Sequence, residues 1–230
     1  GNTVTISGGT FKGSSICGGA AADSASNNIV NISGGTFVES FICGGAADSA
    51  SNNIVNIGGT AGLSDAVLFG GCVGSGYNTS YGTQSAPNTL NIGTNSKMYK
   101  GNVYCIAGFD VINFESIDWE KDVDGNADNY VIKVGTLELN NTKVTVGNVR
   151  VAGNTTLTDG DDMTLIQADA MRTSNSAGAN NGILTDQKVT IYKGVAQTVE
   201  ADVKQDNTKI YLEIAGSGSV TVEEDSETNP

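Results

Sequence analysis

The stretch NNIVNISGGTFVESFICGGAADSAS, residues 27–51, nearly copies what precedes it, GNTVTISGGTFKGSSICGGAAADSAS, residues 1–26. Each copy carries an asparagine, an alternating Val/Ile run, a Ser-Gly-Gly-Thr-Phe corner, a second short run ending in cysteine, and a Gly-Gly corner followed by small residues. The asparagine-led run recurs as NTVTI from Asn2, NIVNI from Asn28, NIVNI from Asn53 and NTLNI from Asn88. The spacings are 26, 25 and 35 residues, the last lengthened by the insertion GSGYNTSYGTQSAP at 74–87. A period of about 20–50 residues marks a solenoid, propeller or array.

Within each unit Val4 and Ile6, Val30 and Ile32, Val55 and Ile57, and Leu90 and Ile92 fall two apart, which is strand spacing. Residues 1–109 hold no capped helical periodicity, so leucine-rich, ankyrin and tetratricopeptide-type solenoids are excluded. One unit buries only four or five apolar side chains, too few to offset the ordering of its backbone, so units must stack. If each unit is one turn of a coil, equivalent residues lie about 4.8 Å apart. The prediction is an all-β chain built as a single-stranded parallel β-helix with a thin aliphatic core, its Gly-Gly pairs at corners that need positive φ. The second run leaves open whether Ile42 or Cys43 points inward. A propeller would need longer units and more aromatic residues than a chain with Trp119 as its one tryptophan supplies.

Residues 1–109 form the regular repeats. Over residues 110–230 the copying decays while strand runs persist, for example DVINFESI, YVIKVGTLELNNTKVTVGNVRV, KVTIYKG and KIYLEI. These predict irregular β-helix turns that end in a C-terminal cap, with a separate small β-sandwich over 184–222 as the alternative.

The composition agrees: 31 glycines, 2 prolines and 6% aromatics cannot build a thick core, while 38% hydrophobic residues in alternating runs argue against disorder. Net charge is -13, and it is lopsided. Residues 1–109 hold four acids against three bases, leaving 21 of the 25 acids and 9 of the 12 bases to the rest. Nucleic acid is thereby excluded as a partner, since counterion release needs clustered Lys and Arg, and an anionic membrane surface is disfavoured. No window approaches 18 consecutive apolar residues. The chain opens in mid-repeat with no secretory leader, as a mature fragment would.

The units NTVTISGGTF and NIVNISGGTF, each followed by ICGGAA, resemble the degenerate repeats of bacterial autotransporter (type V secretion) passenger domains. The run GTLELNNTKVTVGNVRVAGNTTLTDGDDMTLIQAD is similar to the membrane-proximal end of such passengers, and EEDSETNP to the linker before the outer-membrane translocator barrel. The resemblance implies a right-handed β-helix at the surface of a Gram-negative cell, a barrel following it in the full-length protein, and a role in adhesion, aggregation or biofilm contact with a host or bacterial surface protein or glycan. It transfers no catalytic residues. Four cysteines in one passenger depart from the pattern.

Cys17 and Cys43 hold the same slot, Cys105 sits near it, and Cys72 is displaced, with Phe69 in the cysteine's place. Three roles are open: buried thiols acting as small hydrophobes, a disulfide between Cys17 and Cys43, or a metal site, the last disfavoured because no C-x2-C spacing is present. Asp122, Asp124, Asn126 and Asp128 alternate as in a calcium loop, but Ala127 and Lys133 stand where an EF-hand needs Gly and Glu, so only a looser calcium site or a polar turn fits. Calcium is the one cofactor the sequence suggests.

The chain has no histidine, which removes Ser-His-Asp and Cys-His catalysis. A pair drawn from Asp159, Asp161 and Asp162 is the best acid and base available to a polysaccharide lyase or hydrolase, with Arg150 and Arg172 as the only arginines. The expected function is a non-catalytic, adhesin-like passenger. The alternatives are a carbohydrate-active or carbohydrate-binding protein with an acidic face, and a structural stalk that aids secretion and folding. The insertion is the candidate contact loop, displaying Tyr77, Asn78 and Tyr81 among small polar residues.

Overall fold

Alternation decides where each strand points. In Ile29–Ile32 and Ile54–Ile57 the side chains of Val30, Ile32, Val55 and Ile57 are buried, and Asn31 and Asn56 lie on the opposite, outer face. The computed structural model describes residues 1–58, 60–73, 78–93, 103–119, 130–151, 156–173, 182–184, 186–193, 197–216 and 220–221. Among these the protein is all-β, and no helix is long and apolar enough to cross a membrane.

Three ladders organise the strands. The first stacks Thr3–Ile6, Ile29–Ile32, Ile54–Ile57, Thr89–Ile92, Val111–Phe114 and Lys143–Val146, parallel and in chain order. The second stacks Thr10–Lys12, Thr36–Val38 and Gly62–Ser64. The third runs through Ser15–Cys17, Phe41–Ala46, Val67–Val73, Val103–Ala107, Tyr130–Leu139 and Asp162–Thr173, again all parallel. Each of the first repeats visits the ladders in the same order and then returns to the first, one strand further along. This all-β, parallel arrangement is compatible with a β-helix.

In-register pairing turns the repeat into columns of like residues. Val30, Val55, Leu90, Ile112 and Val144 form one buried column, and Ile42, Leu68, Ile106 and Leu137 another. Phe11 stacks on Phe37 with ring centroids 4.9 Å apart and planes 4° from parallel. The second run resolves as two adjacent buried residues on opposite faces. Ile42 joins the main core, whereas Cys43 joins a smaller cluster with Val67, Phe69, Cys72 and Ala107.

The glycine pairs divide into two kinds. Gly9 and Gly35 have φ of +106° and +101°, the corner conformation expected of them. Gly44 and Gly45 do not lie in the left-handed region, which corrects the expectation for that pair. They are required by close approach instead, since a Cβ at Gly44 would fall 2.6 Å from the Gly70 carbonyl oxygen and 2.8 Å from the Asn53 Cβ.

Parallel stacking passes residue 109 without a break. Beyond it, Ile117–Trp119 pairs with Val149–Val151 in a separate short ladder. The third ladder then reverses direction: Asp162–Thr173 pairs antiparallel with Lys209–Ala215, which pairs with Gln197–Gln205, which pairs with Lys188–Lys193. Val189, Ile191, Val203, Ile210 and Leu212 belong to the same core as the repeats, so these strands continue the main sheet and are not a separate sandwich.

Columns make the cost of a cavity depend on depth along the stack. Phe37→Ala is expected to destabilise the protein by about 3–5 kcal/mol in urea unfolding, and Phe11→Ala, in the first turn and only half-buried, by less than about half as much. Equal losses at the two positions would contradict the stacked core.

Candidate functional site

The asparagine that opens each repeat is a structural ligand for its neighbour. Asn28, Asn53 and Asn88 are buried. The Asn28 backbone N–H and Nδ2 donate to Asn53 Oδ1 at 3.1 and 3.0 Å, and the same two groups of Asn53 donate to Asn88 Oδ1 at 3.1 Å each. Two of these side chains reach a main-chain acceptor as well: Asn53 Nδ2 donates to the Ala25 carbonyl and Asn88 Nδ2 to the Ala50 carbonyl, both at 2.9 Å. The next two turns put Asp110 and then Thr142 in this slot. Asp110 Oδ2 accepts from the backbone N–H of Asn88 and of Gly82, both at 2.8 Å, so a carboxylate terminates the amide column. The signal was in the sequence, as one asparagine per repeat in a constant slot, but strand periodicity alone does not say that the slot faces inward.

The insertion is tied to the same elements. Asn78–Thr79 pairs antiparallel with Cys72–Val73, the Ser80 N–H donates to the Gly71 carbonyl at 3.0 Å, and Ser80 Oγ accepts from the Ala50 N–H at 3.0 Å. Two loop hydroxyls converge on one carboxylate oxygen: Thr79 Oγ1 donates to Glu138 Oε1 at 2.6 Å and the Tyr81 hydroxyl at 3.1 Å. Tyr81 is half-buried, and burial, reinforced by the Glu138 charge, pushes its phenol well above the ordinary value. It is therefore a neutral donor that fastens the loop. Asn78 is exposed, and Tyr77 lies outside the described residues.

All four cysteines are free thiols. Cys17 and Cys43 face each other in register, yet the sulfur lying against Cys43 Sγ at 2.9 Å is that of Cys72. Cys43 and Cys72 are fully buried and Cys17 is half-buried. Cys105, opposite Val67, packs against the edge of the same cluster, its thiol pushed up to about 11 by burial and by Glu138. The repeat slot aligns Cys17 with Cys43 and leaves Cys72 displaced, whereas the fold brings the Cys72 sulfur onto Cys43.

The carboxylates proposed for acid/base work have separate partners. Asp159 Oδ1 accepts from the Gly216 N–H, Asp161 Oδ2 from the Thr158 N–H, and Asp162 Oδ2 binds Lys209 Nζ at 2.9 Å. Arg150 pairs with Asp118 at 2.7 Å on the surface, and Arg172 lies opposite Glu138 on the neighbouring strand. The stretch holding Asp122, Asp124, Asn126 and Asp128 lies outside the described residues. Among the described residues no group of three or more Cys, Asp or Glu side chains is placed to hold a metal ion. An open groove of about 560 Å³ lies in the antiparallel end, lined by Leu184, Lys188, Asp202, Lys204 and Tyr211. Its lysines are paired with Glu200 and Glu213.

Two substitutions test this wiring. Burial raises the Asp110 carboxyl despite the bonds from Asn88 and Gly82, so the folded chain holds that proton more tightly than the unfolded one. Its contribution to stability is present at acid pH and is lost as pH rises through the folded-state value. Asp110→Asn keeps an acceptor and removes the charge. It is expected to unfold at higher urea than the parent at about pH 7, with the advantage shrinking toward about pH 4. Glu138→Ala removes the shared acceptor of Thr79 and Tyr81. Limited proteolysis within 78–88 is expected to accelerate several-fold while the unfolding midpoint of the stack barely moves. Unchanged cleavage would show that Glu138 does not hold the loop.

Compared with family models, characterised proteins and solved structures, the chain matches none.

Proposed function

We propose that the chain is a run of single-stranded, right-handed parallel β-helix acting as a non-catalytic passenger segment of the autotransporter kind, displayed at a Gram-negative cell surface. It serves as a stiff stalk, and adhesive or cell-to-cell contact is made where the repeat is interrupted. The observation that carries this reading is the amide column. The buried side chains of Asn28, Asn53 and Asn88 are consumed in bonds from one turn to the next. Such a chain invests its buried polar groups in length and rigidity. A stack of nearest-neighbour turns also suits a segment that emerges gradually, because each turn that arrives finds its template in the turn already folded. The acidic second half supports the same reading by keeping the exposed stalk soluble. Within this picture the loop carrying Asn78 is the contact element, and its partner is a surface protein or glycan.

The test is to join an outer-membrane translocator barrel after Pro230, express the fusion in a non-adherent Gram-negative cell, and measure display, autoaggregation and binding to host cells and glycan arrays. Display with aggregation or adhesion above that of the barrel alone is expected, reduced when Asn78 and its exposed neighbours are replaced by alanine. A fusion that is displayed without any gain in either assay would sink the adhesive role, and one that never reaches the surface would sink the passenger role.

A further inference from the structure

We propose that Cys43 and Cys72 close a disulfide between neighbouring turns of the stack, and that Cys17 is the thiol through which a small-molecule disulfide oxidises the pair. Nothing in the stalk function requires this chemistry. It follows from three sulfurs that the fold brings into one row.

Geometry selects the pair. Cys43 Sγ and Cys72 Sγ are 2.9 Å apart, both buried among Val67, Phe69 and Ala107. Cys17 and Cys43, directly opposite on parallel strands, carry parallel side-chain vectors that suit the near-perpendicular disulfide torsion poorly. Cys72 does not share that alignment. Cys43 is opposite Phe69, and Cys72 lies three residues further along that strand, opposite Ala46, so its sulfur approaches Cys43 diagonally. A metal is the other use for clustered thiols, but tetrahedral zinc with bonds of about 2.3 Å holds its sulfurs roughly 3.8 Å apart. The contact between Cys43 and Cys72 leaves no room for an ion.

Cys17 is the accessible end of the row. It is half-buried where the other two are closed off, and it lies directly opposite Cys43 on the neighbouring strand. Interaction with Cys43 brings the Cys17 thiol down to about 6, while the neighbouring thiols and burial push Cys43 up. Near neutral pH Cys17 is therefore the nucleophile. Its thiolate attacks a small disulfide RSSR, forming a mixed disulfide and releasing one RS⁻. Cys43 then attacks the Cys17 sulfur, and the second RS⁻ departs with the Cys43 proton as RSH. Cys72 attacks the Cys43 sulfur, and the Cys17 sulfur leaves with the Cys72 proton. One RSSR is reduced to two thiol equivalents, and two protein thiols become one disulfide. The product clamps the strand that leads into the 78–88 loop onto the turn before it.

The experiment uses the full chain, reduced and then equilibrated with oxidised glutathione in chelated, oxygen-free buffer, followed by thiol counting, intact mass and non-reducing peptide mapping. Two of the four thiols are expected to disappear, with a mass lower by two hydrogens and one crosslink, between Cys43 and Cys72. The oxidised chain should unfold at higher urea than the reduced one. Cys17→Ser should form the same crosslink about tenfold more slowly. Cys72→Ser should retain glutathione on Cys17 or stop at the bond between Cys17 and Cys43. Four persisting thiols in a chain whose circular dichroism is native would overturn the proposal, as would a crosslink through Cys105 or a stable one between Cys17 and Cys43. Closure of Cys17→Ser at the parental rate would remove Cys17 from the path.

Discussion

A buried amide must find a partner, and in this chain the partner lies one turn away. The backbone N–H of Ile29 donates to the Asn2 carbonyl, that of Ile54 to Asn28 and that of Thr89 to Asn53, each at 2.8 Å, and the asparagine side chains repeat the pattern beside them. Each turn therefore carries two parallel series of unmet donors and acceptors along its edge, one from the main chain and one from the asparagine slot. Leaving one such group unpaired costs about 1–3 kcal/mol. A turn placed out of register loses several at once, whereas the aliphatic columns would tolerate a slip between like residues. Hydrophobic stacking makes the chain collapse, and the amide column fixes which turn lies on which.

The same constraint explains how residues 78–87 of the insertion are tied to the stack. The insertion displaces the repeat by about ten residues, yet Asn88 re-enters the column in register. The loop then inherits the column's end, because Asp110 Oδ2 serves both Asn88 and Gly82. A carboxylate has no hydrogen to pass on, so an amide series that reaches it must stop. Thr142 occupies the following slot with a different pattern, its hydroxyl donating to the Phe109 carbonyl at 3.0 Å and accepting from the Asn140 N–H. The decay of the repeat near residue 110 thus coincides with a change in the chemistry that transmits register.

Much of the architecture was legible because a period and a two-residue alternation are both local signals. Four asparagine-led runs led directly to the first ladder, and a slip by one residue would bury Asn31 or Asn56 in the core. The second run was not legible, because Ile42 and Cys43 are adjacent and both buried, and alternation cannot choose between two inward directions when each has its own apolar cluster. The Gly44–Gly45 pair resembles the Gly8–Gly9 pair as text, but one relieves a close approach and the other sets a dihedral. The reversal to antiparallel pairing after Asp162–Thr173 leaves no periodic mark at all. For the site, the insertion could be located from broken spacing, whereas its attachment to Glu138, some 57 residues from Tyr81, could not.

The two apolar clusters also explain why the cysteines gather where they do. The third ladder must satisfy a core on one face and a smaller cluster on the other, and the slot after Ile16 and Ile42 faces the smaller cluster, just before the glycines that follow. Cysteine fills that slot in the first two repeats, its sulfur packed beside the main chain, Cys17 Sγ 2.9 Å from the Gly19 carbonyl oxygen and Cys43 Sγ 3.1 Å from that of Gly45. In the third repeat the slot is filled by Phe69, whose ring sits 5.4 Å from that of Phe41 and shields the cluster. The sulfur is then supplied from Cys72, at the point where the strand passes into the insertion. Packing alone would accept alanine at all three positions. Sulfur is instead placed in contact with sulfur where the third-ladder strand passes into the insertion, and the proposed disulfide rests on that contact.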